Sequence, residues 1–262
     1  MSSQGTDKPS GTRVVPDGLK YFRLVWKQED SCEELTDKLI TKLGNKLPVT
    51  CEKLGTALSR MEMLATCGWG CLGGDHLIEH LVGRVVSSAR ASLRLLRFGF
   101  YDEALSLTRS IGECANLFVL FRARPGVIRE WKAADKKTRE TKFKPVKVRE
   151  LLEEAKAPIP MNKDIYSLFS EVSAHPTPET KPQVHNPYLR PTLGGYLQPG
   201  GLLPAINELS YVVAAVGACA PGLTEVAPEH RKAVFSAARD LEKSLGGLSL
   251  AMAKDLWTQS MK

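Results

Sequence analysis

Apolar residues recur every three or four positions along most of this chain. The longest such run, Asp75 to Phe121, predicts two long helices joined at Phe98-Gly99-Phe100. In the first, Leu77, Leu81, Val85, Ala89, Leu93 and Leu96 share one face, and Arg90, Arg94 and Arg97 share another. Asp75 is the expected cap, since its carboxylate can accept orphan N–H groups of the first turn. Gly99 breaks the pattern, and glycine most easily takes the left-handed conformation that ends a helix. Asp102 is the expected cap of the second helix, where Ala104, Leu107, Ile111, Cys114, Phe118 and Phe121 form a helix–helix seam. Leu105, Leu117 and Leu120 fall opposite that seam, so the helix is apolar nearly all round and belongs at the centre of its domain. Arg109 and Glu113 stand one turn apart in this setting. They form either an ion pair among apolar neighbours, where a charge is costly unless paired, or an exposed pair worth only about 0.2–0.5 kcal/mol.

The flanking chain predicts further helices. Residues 1–17, rich in Ser, Gly, Thr, Lys and Pro, are expected to be a disordered tail. Ser31-Cys32-Glu33-Glu34 fits a capping box, followed by Leu35, Leu39, Leu43 and Leu47 at helical spacing, with Pro48 as the stop. Thr50 is then the cap of a helix carrying Leu54, Leu58, Met61 and Ala65, and Gly68, Gly70, Gly73 and Gly74 break the chain before the hairpin. Arg124-Pro125-Gly126 is a turn signal, and 127–144 is basic with one solvated helical face. Pro145 suits the first turn of a helix with Val148, Leu151 and Leu152. Asp164 starts another, which must stop near His175 because Pro176 disfavours helical geometry in the residue before it. Residues 176–201 are dense in Pro and Gly, and Leu189 to Tyr196 suggests a short hairpin across Gly194-Gly195. Apolar helices return over 202–219 and about 228–245, with Leu248 to Trp257 as a terminal turn or helix. The sum is an all-α, up-and-down bundle built on the central hairpin, with one Pro/Gly-rich loop or short β-hairpin inserted. The bundle spans 18–225, and C-terminal helices over 226–262 pack on it.

Composition changes this picture little. A chain of 262 residues can bury a substantial core. Its net charge of +7 and pI near 9.1 permit an acidic partner such as RNA or nucleotide without demanding one. Much of the excess lies between Arg122 and Lys156, with 12 Lys/Arg against 6 Asp/Glu. Trp131 and Phe143 interleave that run, which offers phosphate contacts and base stacking. A solvated surface is the commoner explanation for such a run and the preferred one. The six cysteines lie mostly in helical patterns behind a polar N-terminus, so reduced thiols in a cytoplasmic protein are expected. The stretch Tyr211 to Leu223 is too short to span a bilayer, and no membrane partner is expected.

Two constellations suggest chemistry. His76-Leu77-Ile78-Glu79-His80 matches the H-x-x-E-H pattern of inverted zinc peptidases, and Cys67 and Cys71 lie just upstream. The gap between the Cys and His pairs is far shorter than in zinc fingers, and no third ligand announces itself. Chance histidines and buried thiols are the preferred reading, with no metal or cofactor. The second is His175, which ends a helix carrying Tyr166, Ser170 and Ser173 as a polar stripe. An imidazole there can act as acid, base or phosphate contact, or simply complement the helix dipole.

Leu95 to Leu105, Leu107-Thr108-Arg109-Ser110-Ile111-Gly112-Glu113, Tyr166 to Glu171 and Ala174-His175-Pro176 together resemble an uncharacterised bacterial family related to the HEPN superfamily of helical bundles. The resemblance covers roughly 84–223. It implies an all-α bundle, often a homodimer, linked to RNA cleavage, nucleotide binding or defence against phage. Active HEPN ribonucleases carry an Arg, four to six variable residues, then His. Here Ser170 stands five residues before His175, and no Arg precedes a His at the family's spacing. The reading that follows is a binding or regulatory protein whose polar pocket is built from Arg109, Glu113, Tyr166, Ser170 and His175. Arg109 would hold a phosphate or carboxylate. The alternatives are a metal-independent ribonuclease using His175 and Arg109 as its catalytic pair, and a structural dimerisation module with no ligand site.

Overall fold

A computed structural model describes residues 15–42, 46–70, 73–176 and 192–245. They form ten α-helices and one 3-10 turn, with no strand among the described residues. The helices are α1 (Gly18–Lys42), α2 (Lys46–Ala65), α3 (Leu77–Arg97), α4 (Tyr101–Ala123), α5 (Gly126–Ala133), α6 (Lys136–Lys142), α7 (Pro145–Glu154), α8 (Lys163–Ser173), α9 (Pro199–Cys219) and α10 (Pro228–Ser244). The fold is therefore the all-α bundle that the periodicity predicts.

The central helix is α4. It packs against α3, α9, α8 and α7, and both of its predicted faces are used: Ile111, Phe118 and Phe121 are buried, and so are Leu105 and Leu120. The corner before it is a glycine-dependent helix stop. Gly99 N–H donates to the Leu96 carbonyl at 3.1 Å and Phe100 N–H to the Leu95 carbonyl at 2.9 Å, with Gly99 at φ +82°. These are the paired bonds of a Schellman ending. The chain entering α9 lies across this corner: Gly195 N–H donates to the Gly99 carbonyl at 3.3 Å, and Gln198 N–H to the Tyr101 hydroxyl at 3.2 Å.

Several boundaries differ from the expected ones. α1 begins at Gly18 and runs straight through the supposed capping box, where the Ser31 hydroxyl donates to the Lys27 carbonyl of its own helix. Its first half leaves Leu19, Phe22 and Trp26 exposed, so no strong apolar face marks it in the sequence. Its second half is fastened to α3 by ion pairs of Arg94 with Glu33 at 2.7 Å and of Arg97 with Asp37 at 2.7 Å. Pro48 sits in the first turn of α2, where a missing N–H costs nothing, and Thr50 is buried inside that helix rather than capping it. His76, not Asp75, is the residue before α3, though the Asp75 carboxylate does accept from Leu77 N–H at 3.1 Å. Asp102 lies within the first turn of α4 rather than at its cap. The expected tail over 1–17 falls on described residues only at 15–17. The hairpin at 189–196 falls on them only at 192–196, which form no strand, and the terminal element at 248–257 lies outside them.

The segment Pro199–Leu223 is long and apolar enough to cross a membrane by length and composition, which the shorter stretch 211–223 did not suggest. In this fold 61% of its most apolar window is buried, packed against α4, α10, α2 and α3.

One side chain fixes α8 relative to α4. Asn116 is buried, donates through Nδ2 to the Met161 carbonyl at 2.9 Å and accepts the Met161 N–H at 2.9 Å. Met161 in turn fills the space over Gly112, where an added Cβ would stand 2.2 Å from the Met161 methyl. The next residue, Asn162, caps α8 by accepting Ile165 N–H at 3.0 Å. Asn116→Ala strands a buried backbone donor and acceptor and should cost about 2 kcal/mol. A shift of the urea midpoint at constant m-value measures it.

Candidate arginine–tyrosine site

The clamp just described brings α8 against α4 so that Tyr166 faces Arg109. Arg109 Nη2 donates to the Tyr166 hydroxyl at 2.6 Å, and its guanidinium carbon lies 4.4 Å from the ring centroid. The same Nη2 is 3.3 Å from Glu113 Oε1. With side-chain exposures of 19% and 34%, this ion pair is neither sealed in the core nor a solvated surface pair. The leucines around it put it between the two sequence readings.

A second guanidinium, unanticipated from the sequence, completes the group. Arg149 of α7 is only 8% exposed, and its guanidinium carbon lies 4.7 Å from the Tyr166 centroid. Cation–π contacts of this kind strengthen as water is removed. Arg84 of α3 adds a third positive charge that acts on Glu113. Burial still dominates and raises the Glu113 carboxyl above its ordinary pKa, against the opposing pull of Arg109, the Tyr166 hydroxyl, Arg149 and Arg84.

The charges do not balance. Three guanidiniums surround one carboxylate, and the buried atoms Arg109 Nε and Arg149 Nη1 have no hydrogen-bond partner. A buried charged donor left unpaired is expensive, and an added anion would satisfy it. Chemically the group can hold a phosphate or carboxylate against an aromatic face.

Of the five residues expected to form the pocket, Arg109, Glu113 and Tyr166 come together. Ser170 sits one turn beyond Tyr166, and its hydroxyl donates to the Tyr166 carbonyl at 2.6 Å. His175 follows the end of α8, with its side chain exposed and its N–H donating to the Ser170 carbonyl at 2.8 Å. At a rise of about 1.5 Å per residue Ser173, the last residue of α8, already lies roughly 10 Å along the axis from Tyr166, and His175 comes after it. Among the described residues no hydrogen bond, ion pair or ring contact joins its imidazole to Arg109 or Glu113. The sequence signal that could have found Arg149 is its spacing of three from Leu152, which puts both on the buried face of α7.

The H-x-x-E-H residues lie elsewhere, at the start of α3. His76 is left-handed at φ +51°, its ring centroid is 6.4 Å from that of His80, and His80 is exposed. Cys71 lies outside the described residues, among which no group of three or more His, Cys, Asp and Glu is suited to hold a metal ion. No family model, curated protein or solved structure matches this chain.

Proposed function

We propose that this protein binds a phosphate-bearing anion, a nucleotide or a segment of RNA, between α4, α7 and α8, and that it acts by binding rather than cleavage. The observation that carries this reading is the pair of buried guanidinium N–H groups, on Arg109 and Arg149, that lack an acceptor. Tyr166 supplies a ring beside them. Stacking on an aromatic face and charge-assisted bonds to phosphate are the usual means of holding such ligands. A HEPN-like relationship and a homodimer belong to the same proposal and rest on the resemblance of the Arg109 and Tyr166 segments, and a cytoplasmic setting belongs to it through the expected reduced thiols.

Calorimetry with pyrophosphate and ATP, and anisotropy with a labelled single-stranded RNA, test it. Arg149→Met keeps the apolar stem against Tyr166 and removes the charge. It should weaken binding of whichever probe is held by about tenfold or more, equivalent to about 1.4 kcal/mol. Absence of binding by all three probes at about 1 mM, or equal affinity in Arg109→Met and Arg149→Met, would overturn the proposal.

A further inference from the structure

At the opposite end of α3 from the Gly99 corner lies a cavity of about 150 Å³, between the end of α2, the turn that follows it, the start of α3 and residues after the 3-10 turn Ala220–Leu223. Cys67 and His76 both line it, and Cys67 Sγ is 3.8 Å from His76 Nδ1. Both residues are non-glycine and left-handed, at φ +53° and +51°, and their side chains meet beside the cavity. Asp75, Glu79 and Glu225 also line the space, and Asp75 is ion-paired with Lys132.

We propose that Cys67 is a reactive thiol, activated by His76, and that the cavity admits a small uncharged electrophile to it. The imidazole takes the thiol proton, the sulfur lone pair forms the new bond to the electrophilic carbon, and the leaving group departs with the bonding electrons. The proton then passes from the imidazole to solvent. This is the arrangement by which a neighbouring base makes a thiol nucleophilic. The space equals the share of liquid volume of about five water molecules, which suits an electrophile of a few heavy atoms. The carboxylates lining the cavity disfavour an anion, so charge as well as size selects what enters. Cys32, Cys51, Cys114 and Cys219 have thiols pushed up in pKa by burial. Among the described residues, Cys67 alone of these five thiols has a hydrogen-bond contact with a histidine.

Iodoacetamide labelling of the folded protein, read by fragment spectra that separate Cys67 from Cys71, tests the proposal. Cys67 should react about tenfold faster than Cys51 and Cys114. Its preference for neutral iodoacetamide over anionic iodoacetate should exceed that of the urea-unfolded chain by about threefold or more. His76→Asn, which keeps a residue tolerant of the left-handed conformation, should abolish the advantage over Cys51. Labelling of Cys67 no faster than Cys51 in the wild type overturns the proposal, as does an unchanged rate in folded His76→Asn. Should that variant fail to fold, the ratio of the two reagents on the wild-type protein decides: a ratio equal to that of the unfolded chain overturns it.

Discussion

Gly99→Ala is expected to lose about 3–4 kcal/mol of folding stability, read as a lowered urea midpoint at unchanged m-value. Two costs add. At φ +82° a residue with a Cβ is strained by about 1–2 kcal/mol. The Cβ itself would stand 2.4 Å from the Tyr196 carbonyl oxygen, 2.5 Å from its nitrogen and 2.8 Å from its carbonyl carbon. These are backbone atoms, and they cannot swing aside as the end of a side chain would. The segment entering α9 must therefore move, which strains the Gly195 and Gln198 hydrogen bonds to the corner. Gly83→Ala, inside α3, is the matched control. Its Cβ would meet only the Ala65 methyl at 3.7 Å, an ordinary contact, so it should be neutral or stabilising by up to about 1 kcal/mol. A Gly99→Ala protein within 1 kcal/mol of wild type would show that the corner does not hold the α9 entry.

Glu208→Gln is expected to stabilise the fold, and to do so more as pH rises. Glu208 sits on α9 at 4% exposure, its Oε2 has no hydrogen-bond partner, and burial raises its pKa to about 8. The folded pKa lies above the ordinary value of 4.5, so between about pH 4.5 and about 8 the folded state holds a proton that the unfolded chain has released. Stability therefore falls as pH climbs through that window, and the full cost of burying the carboxylate is present above it. Each decade of proton affinity is worth about 1.4 kcal/mol, so the ionised side chain costs the fold on the order of 5 kcal/mol. Glutamine keeps the shape without the charge. Thermal unfolding should show the variant and wild type nearly together at pH 4 and well separated at pH 9. A gap independent of pH would mean that the carboxyl is not the titrating group.

The order of helices and the central place of α4 were legible because its leucines occupy both faces, a pattern that surface helices do not carry. The Gly99 corner was legible because one glycine interrupts two otherwise unbroken apolar periods. The first half of α1 was not, since its large apolar residues remain exposed and its inward face carries Tyr21, Val25 and Glu29. The Ser31 to Glu34 pattern misled because a hydroxyl in mid-helix can satisfy itself on the carbonyl four residues back. At the site, Arg109 and Glu113 could be read from the apolar residues around them. Arg149 was masked by a run of charges that otherwise face water, and only its spacing of three from Leu152 set it apart. Pro176 fixed where α8 ends, but no spacing rule says which way the imidazole just before it points. Cys67 and His76 stood together in the sequence only as a metal constellation, because their direct approach involves two left-handed residues, a conformation that neither residue type announces.

Among the described residues the hydrogen bonds of Asn116 run to the Met161 backbone and to none of the charged groups, yet they set where the tyrosine between those groups stands. Its amide carries α8 as a bracket carries a shelf, so a change there would re-aim the aromatic ring while every arginine stayed in place. The recognition surface is thus tunable from behind, through a residue that no ligand would meet.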